Sequence, residues 1–408
     1  MKRRSFLVGG ASLALSQLAS SCSSRQQEHL KVLLLQDSIP VQLLNRFRKQ
    51  LHKPATVDFD VAKQLQVIFS RLETWKQESQ NPNIQQQRLL DFLPFIGSRT
   101  TVPTNLVTLG YYWLAQAIDK ELIEPFSLQR NSNWQHLPER LQKLLVTNQE
   151  GEKPNHKQNQ ANEYVKVLGA PYRWGSTLII YRRDKFKSED LEPPKDWSDL
   201  WNPNLRGRIS MLNQPREFIG LTLKKLGFSY NSSDLSKVPD LEKELYTLHQ
   251  QIKFYSSDNY LQPLLLGDTW VAVGWSTDIL PIVARDHRLE AVFPESGTAL
   301  WVDLWVKPKS LAADSNSEDK VQQESLTSLT QEWIDFCWQQ EIATAITRLS
   351  HAASPIFFQS KEPEQLPKEL QAHHLLLPDA DKLDKSDFLE PLSESSEYED
   401  LWKKITTS

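Results

Sequence analysis

A chain of 408 residues is long enough for two or three domains, or for two lobes around one cleft. Its formal charge of −4, with 24% charged and 39% hydrophobic residues, is ordinary for a globular protein, and the absence of a long basic run beyond the N-terminus makes nucleic acid a poor candidate partner. The chain has only 13 glycines and contains neither GxxxxGK[ST] nor GxGxxG, which argues against a glycine-rich phosphate loop.

The first 21 residues are typical of an export signal. A basic start, MKRR, precedes an apolar stretch from Phe6 to Leu18, which is shorter than the roughly 20 residues that span a bilayer. The paired arginines resemble the twin-arginine signal, an address that a receptor reads. We therefore predict a signal peptide over residues 1–21 and a periplasmic or otherwise extracytoplasmic protein.

The stretch LASSC, which ends at Cys22, resembles a bacterial lipobox, in which the cysteine becomes the lipidated first residue of the mature chain. A plain secretory signal with an incidental cysteine is the alternative. We predict a polar linker over residues 22–29 after this cysteine. The second cysteine, Cys337, lies in the apolar helical pattern of WIDFCWQQ and is predicted to be a buried thiol, so no disulfide is expected.

From residue 30 onward, apolar strands alternate with amphipathic helices. LKVLLL and TVDFDV are predicted strands, and Leu65, Ile68, Leu72 and Trp75 have helical spacing. TNLVTLG predicts a strand that leads directly into a helix, TWVAVGWSTDILPIVARD predicts strand then helix, and REFIGLTLKKLGF predicts an amphipathic helix. This alternation predicts an α/β fold with mainly parallel sheets. Residues 148–163 are polar throughout and are predicted to form a surface loop.

The stretch LWVDLWVKP places one acid between two tryptophans. On a strand, Trp301, Asp303 and Trp305 share one face, because side chains alternate between the two faces. A cation over an indole ring gains roughly 0.5–2 kcal/mol, and a nearby carboxylate adds a charge-assisted hydrogen bond, so the pattern suits an ammonium ligand. The alternative is that both tryptophans pack in the core and Asp303 faces water at a strand end.

Several segments together resemble the spermidine/putrescine-binding proteins of ABC importers. They are NLVTLGYYWLAQAIDKELIEPF, APYRWGSTLIIYRRD, WSDLWNPNLRGRISMLNQPREFIGLTLKKLGFS, SSDN, LLLGDTWVAVGWSTD and VFPESGTALWVDLWVKP, in the order and spacing of that family. The resemblance covers roughly residues 30–360. It implies a type II periplasmic binding protein, in which two α/β lobes with mainly parallel sheets are joined by two crossover strands around a cleft.

The same resemblance implies the boundaries of the lobes and their motion. Lobe 1 is expected over residues 30–177 plus 303–345 and lobe 2 over 178–302, with C-terminal helices and a tail over 346–408 packing on both. The hinge is expected in the crossover strands, near residues 174–181 and 302–307. A ligand that contacts both lobes favours the closed form, by no more than its difference in affinity for the two forms.

The ligand-binding residues that the resemblance implies follow the family's motifs position by position. They are Asp37, Tyr111, Glu217, Ser257, Trp275, Trp301 and Asp303. The resemblance implies an exported, monomeric substrate-binding component of an ABC importer, with a polyamine or related small amine as its cationic ligand and a membrane permease as its partner. It implies no enzymatic activity, no cofactor and no metal.

The chain departs from the family pattern at five ligand positions. Leu35 and Ser38 replace a tryptophan and a tyrosine, Gln214 replaces an acid, and His351 and Leu389 replace a tyrosine and a glutamine. Gln214 and His351 remain candidate ligand contacts. Loss of one acid and two aromatic rings weakens the case for a long polycation, so a smaller or singly charged amine stays open.

Three other functions are weighed against this one. A hydrolase could use Glu217 and Asp303 as paired acids, but no nucleophile elbow, catalytic triad or metal-ligand spacing accompanies them. A ferric-ion or other small-solute receptor of the same fold is suggested by the tyrosine pair Tyr111 and Tyr112. A degenerate receptor that serves as a sensor or assembly factor is suggested by the lost ligand residues.

Overall fold

The fold was described from a computed structural model, which defines residues 28–51, 55–80, 104–128, 131–147, 166–309, 317–358, 364, 366–391 and 395–407. The predicted signal peptide, Cys22 and the predicted loop over 148–163 lie outside these residues. No helix within them is long and apolar enough to cross a membrane.

Thirteen strands are defined within these ranges. In chain order, β1 to β13 are Glu28–Leu35, Ala55–Ala62, Leu106–Gly110, Ile123–Glu124, Val146–Thr147, Lys166–Val167, Ala170–Arg182, Ile209–Met211, Ile252–Tyr255, Val271–Trp275, Leu289–Val292, Ala299–Pro308 and Asp387–Phe388.

The α-helices of the described residues lie mostly between these strands. In chain order, α1 to α14 are Val41–Gln50, Leu65–Gln80, Leu114–Asp119, Ser132–Gln135, Glu139–Leu145, Arg183–Ser188, Pro215–Lys225, Leu241–Gln251, Gln262–Leu266, Ser276–Val283, Ser317–Trp338, Gln340–Ser350, Ala380–Asp384 and Ser395–Thr406.

The sheet is continuous through the molecule and runs in the order β2-β1-β3-β12-β7-β10-β8-β9. Its two ends are parallel: β2, β1 and β3 form one end, and β10, β8 and β9 form the other. The long strands β12 and β7 pair antiparallel to each other in the middle. Each parallel end is covered by helices, as buried apolar strands such as VLLL require. The predicted α/β alternation is therefore confirmed.

Buried apolar side chains fall into two main groups on either side of the central strands. The first core draws on residues 30–174, 300–306 and 329–388. The second core draws on residues 178–299 together with Tyr398 and Ile405. Each core therefore combines segments that are far apart in the sequence.

Strands β7 and β12 connect the two cores. All residues of β7 are buried, with its start in the first core and its end in the second. Ala299 of β12 packs in the second core, whereas Leu300 and the following apolar residues pack in the first. The predicted crossovers, near residues 174–181 and 302–307, fall within these strands. The finer division into lobes at the predicted boundaries stays a prediction.

The C-terminal segment is bound to both cores. Phe388 packs in the first core, and the α5 side chain Arg140 donates hydrogen bonds to the carbonyls of Leu383 and Ser386 at 2.9 and 2.6 Å. Toward the second core, Lys224 forms an ion pair with Asp387 at 2.8 Å. The following helix α14 then packs beside α7 and α8.

One detail of the sequence interpretation differs from the structure. The predicted linker over residues 22–29 ends early, because β1 begins at Glu28 and pairs with β2 from that residue onward. The pairing of β12 with β7 shifts register between Asp303 and Leu304, where Tyr172 is the extra residue of β7. Strand β12 itself pairs with β3 from Asp303 to Val306 without a shift, so the alternation of faces along LWVDLWVKP is not interrupted there.

Candidate functional site

Glu217 is a buried acid in the first turn of helix α7, which Pro215 begins directly after strand β8. Its side chain is held from one side: Oε1 accepts hydrogen bonds from Thr177 Oγ1 at 2.9 Å and from Trp275 Nε1 at 3.4 Å. Oε2 is buried and has no hydrogen-bond partner among the described residues. Burial raises the pKa of Glu217 to about 7, and the hydrogen bonds from Thr177 and Trp275 oppose this rise.

Two half-buried tryptophans belong to this region: Trp275 is hydrogen-bonded to Glu217, and Trp301 lies beside Gly175 near Ser276, the residue after Trp275. Trp275 ends strand β10, and Trp301 lies on β12 opposite Gly175 of β7. Gly175 leaves room for the Trp301 ring: a Cβ atom there would overlap that ring and lie 2.6 Å from Ser276 Oγ. The indole Nε1 of Trp301 is buried without a hydrogen-bond partner in the described structure. The site thus combines an unpaired donor and an unpaired carboxylate oxygen with indole surface.

Asp303 is buried and paired with a cation of the chain itself. It lies opposite Arg173 in the β12–β7 register, and Arg173 Nε donates a hydrogen bond to Asp303 Oδ2 at 2.7 Å. Burial raises the pKa of the Asp303 carboxyl, and the charge of Arg173 opposes this rise. The carboxylate that the sequence suggested for a ligand is thus already engaged within the protein.

The two tryptophans of LWVDLWVKP have different environments. Trp305 is fully buried, stacks on Tyr172 with ring centroids 4.1 Å apart, and meets Trp333 edge to face. Trp301 instead keeps part of its ring exposed beside Arg173. The two rings therefore differ in exposure along the strand, and Trp305 belongs to the first core.

The tyrosine pair lies where the first core meets this site. Tyr111 directly follows Gly110, which pairs with Asp303, and its side chain is buried. Tyr112 is less buried, and burial raises its pKa while the nearby charge of Arg216 opposes the rise. Within the described residues, no group of three or more His, Cys, Asp or Glu side chains is arranged to hold a metal ion.

The remaining predicted contacts lie at more exposed positions. Asp37 is exposed in the turn after β1, with a left-handed backbone conformation at φ 59°. Gln214 is the residue before helix α7, and its Nε2 donates to Ser257 Oγ at 3.3 Å, which brings these two predicted residues together. His351 follows helix α12 in a left-handed conformation, and burial lowers its pKa. The roles of these residues in ligand binding stay predictions.

Sequence reasoning missed Arg173, Thr177 and Asp278. Asp278 is mostly buried in helix α10 and accepts a hydrogen bond from Tyr260 Oη at 3.0 Å, and burial raises its pKa. Arg173 had one available signal, since a charged residue inside the otherwise apolar run APYRWGSTLII requires a buried partner. Thr177 and Asp278 carried no such signal.

A direct hydrogen bond joins a residue on the first-core side to a residue on the second-core side. Gln64, which precedes helix α2 on the first-core side, donates from Nε2 to Asp258 Oδ1 at 3.0 Å, and Asp258 belongs to the segment between β9 and α9 on the second-core side. Both side chains are exposed. This hydrogen bond therefore links the first-core side to the second-core side at the surface.

The amino-acid sequence is similar to a known family of binding proteins. Residues 105–386 match the sequence model of the family described as bacterial extracellular solute-binding protein. The spermidine/putrescine-binding periplasmic protein of Salmonella typhimurium (strain LT2) is 24% identical over 303 residues, which cover 74% of this chain and 77% of that protein.

Two solved structures show the same fold. The spermidine/putrescine ABC transporter substrate-binding protein PotD of Streptococcus pneumoniae superposes with a TM-score of 0.69 at 19% identity, covering 93% of this chain and 99% of that one. The TpPotD lipoprotein of Treponema pallidum has a TM-score of 0.60 at 16% identity, covering 93% and 99%. These similarities confirm the predicted fold class, with two α/β units joined by crossover strands.

Proposed function

We propose that this chain, which belongs to the bacterial extracellular solute-binding proteins, is the receptor of an ABC importer and binds a small amine between its two cores. The observation that carries the proposal is the environment of Glu217: its Oε2 is buried without a partner, and its other oxygen accepts a hydrogen bond from Trp275. A buried carboxylate oxygen without a hydrogen bond is costly, and an ammonium group removes that cost. The names of the relatives, which bind spermidine and putrescine, support the same ligand class.

The physical mechanism follows from the two crossover strands. We take the predicted lobes, residues 30–177 with 303–345 and residues 178–302, as the bodies that move about β7 and β12. Ligand held by Glu217, Trp275 and Trp301 on one side and by Tyr111 on the other stabilises the closed form. That form is the one that docks on the permease, and no covalent step is required of the protein.

Isothermal titration calorimetry with n-butylamine, putrescine and spermidine tests the proposal directly. We expect saturable binding of at least one of these amines and a decrease in the radius of gyration by X-ray scattering on binding. Glu217→Gln is expected to weaken binding by about 30-fold or more, because truncation of one partner of a buried charge pair costs 2 kcal/mol or more. Glu189→Gln removes the same charge from an exposed acid outside the predicted site and is the charge-matched control.

The proposal is wrong if none of the three amines binds. It is also wrong if both glutamine variants bind with the affinity of the wild type, since the charge of Glu217 then plays no part.

Export and anchoring are proposed separately from the ligand. Cys22 after the predicted signal, together with a relative named as a lipoprotein, supports a periplasmic receptor held at the membrane by a lipid. Membrane fractionation of the wild type and Cys22→Ala, with intact-mass measurement of the mature N-terminus, distinguishes lipidation from simple cleavage. Light scattering during size-exclusion chromatography tests the expected monomer.

A further inference from the structure

Arg173 occupies the environment that the sequence pattern suggested for a ligand cation. It is only 5% exposed, its Nε binds Asp303, and its guanidinium carbon lies 5.7 Å from the centroid of the Trp301 ring and 5.9 Å from that of Tyr172. An arginine keeps its charge at any physiological pH. The combination of indole and carboxylate is therefore filled by the protein's own cation.

The neighbouring acids leave little capacity for further positive charge. Asp303 is neutralised by Arg173, and Asp278 accepts a hydrogen bond from the hydroxyl of Tyr260. In the part of the chain that the structure describes, Glu217 Oε2 is the one carboxylate oxygen that is buried and lacks a hydrogen-bond partner. The predicted contact Asp37 is exposed, and water screens its attraction for an ammonium.

We propose that the ligand carries a single ammonium group, which binds Glu217, and that the rest of the ligand is uncharged. This inference rests on the proposed function and narrows its substrate class from polyamines to monoamines. A second ammonium in the closed site would find no free buried carboxylate to receive it, because Arg173 already occupies Asp303. Burying a charge without a partner is costly where water is excluded.

A series of four-carbon ligands tests this by changing only the terminal group. n-Butylamine, putrescine and 4-aminobutyrate end in a methyl, an ammonium and a carboxylate, respectively. By calorimetry at pH 7.5, we expect n-butylamine to bind most tightly and putrescine at least about tenfold more weakly. We also expect 4-aminobutyrate to bind no more tightly than n-butylamine, because the charge of Arg173 is already compensated by Asp303.

Three results overturn the inference in distinguishable ways. Putrescine binding as tightly as n-butylamine shows that the site accepts two charges, while the proposed function stands. Tighter binding of 4-aminobutyrate shows that Arg173 receives a ligand anion. Failure of all three ligands and of spermidine rejects the proposed function itself and the inference with it.

Arg173→Met provides an independent test through a gain of binding. Methionine retains the unbranched aliphatic part of the arginine side chain but lacks its charge, so the Asp303 carboxylate becomes free. The affinity for putrescine relative to that for n-butylamine is therefore expected to rise by about tenfold or more. The double variant Arg173→Met/Asp303→Leu removes both charges and is expected to show no such gain. An unchanged ratio in the single variant overturns the inference, and if that variant does not fold, the wild-type ligand series still decides.

Discussion

Replacement of Glu217 by glutamine is expected to stabilise the empty protein while it removes the function. Glutamine has nearly the same shape, and its oxygen can still accept the hydrogen bonds from Thr177 and Trp275. What the variant lacks is a buried negative charge with one oxygen unpaired. Residues that bind ligands often reduce stability in this way, because their groups are left unsatisfied until the ligand arrives.

The magnitude follows from the pKa of the buried acid. Burial raises the pKa of Glu217 from the usual 4.5 to about 7. Each unit of difference between the folded and unfolded states corresponds to about 1.4 kcal/mol, so ionised Glu217 lowers the free energy of unfolding by about 3 kcal/mol. The pKa of Glu217 is higher in the folded state than in the unfolded state. The free energy of unfolding therefore carries no penalty from Glu217 below pH 4.5, and it falls by this amount as the pH rises through 7.

Urea unfolding of the wild type and Glu217→Gln at pH 5 and pH 8 measures this difference. We expect the stability of the variant relative to the wild type to increase by about 2–3 kcal/mol between the two pH values. Other titrating groups are common to both proteins and cancel in the comparison, and the neighbouring Arg216 keeps its charge over this pH range. Glu189→Gln should show no such change, since that acid is exposed.

Amine binding should report the same ionisation. At pH 7, binding of an ammonium ligand is expected to release about half a proton, and the affinity of the wild type should fall by up to about tenfold per unit as the pH is lowered further. Calorimetry in buffers of different ionisation enthalpy measures the released protons. A pH-independent stability difference between wild type and Glu217→Gln would refute the reasoning about the buried charge.

Three further outcomes are expected from other parts of the site. Gly175→Ala should weaken amine binding by about tenfold or more, because its Cβ displaces the Trp301 ring; Trp fluorescence and calorimetry report both effects. Gln64→Ala removes one exposed hydrogen bond to Asp258, worth about 0.5–1 kcal/mol. We expect it to raise the dissociation rate of every ligand by about two- to fivefold, as measured by stopped-flow fluorescence. Trp305→Ala should lower the free energy of unfolding by about 3–5 kcal/mol in urea titrations without a change in ligand selectivity, and altered selectivity would mean that this ring reaches the ligand after all.

Local patterns were sufficient to predict the alternating strands and helices. The strand ending at Gly110 and the helix beginning at Pro215 follow from apolar runs and from residues that start or stop a helix. The assignment of two cores needed more, because residues 300–306 complete a core begun near residue 30. Only the resemblance to a family supplied that connection.

The site was harder to predict because its chemistry depends on pairs that are distant in the sequence. Asp303 was correctly singled out as unusual, but its partner Arg173 is 130 residues away and decides what Asp303 can do. The environment of Glu217 likewise depends on hydrogen bonds from Thr177 on β7 and Trp275 on β10, which are distant from it in the sequence. The period of two residues placed Trp301 and Trp305 on one face, but it could not show that Trp305 is fully buried against Tyr172 and Trp333.

The packing of the C-terminal segment has a consequence for the order of events during biosynthesis. The first core includes Phe388 and the second includes Ile405, so neither can be completed before these residues have been made. Contacts over such long sequence separations also slow folding. The nascent chain therefore lacks its finished first core until Phe388 has emerged, and its finished second core until Ile405 has emerged.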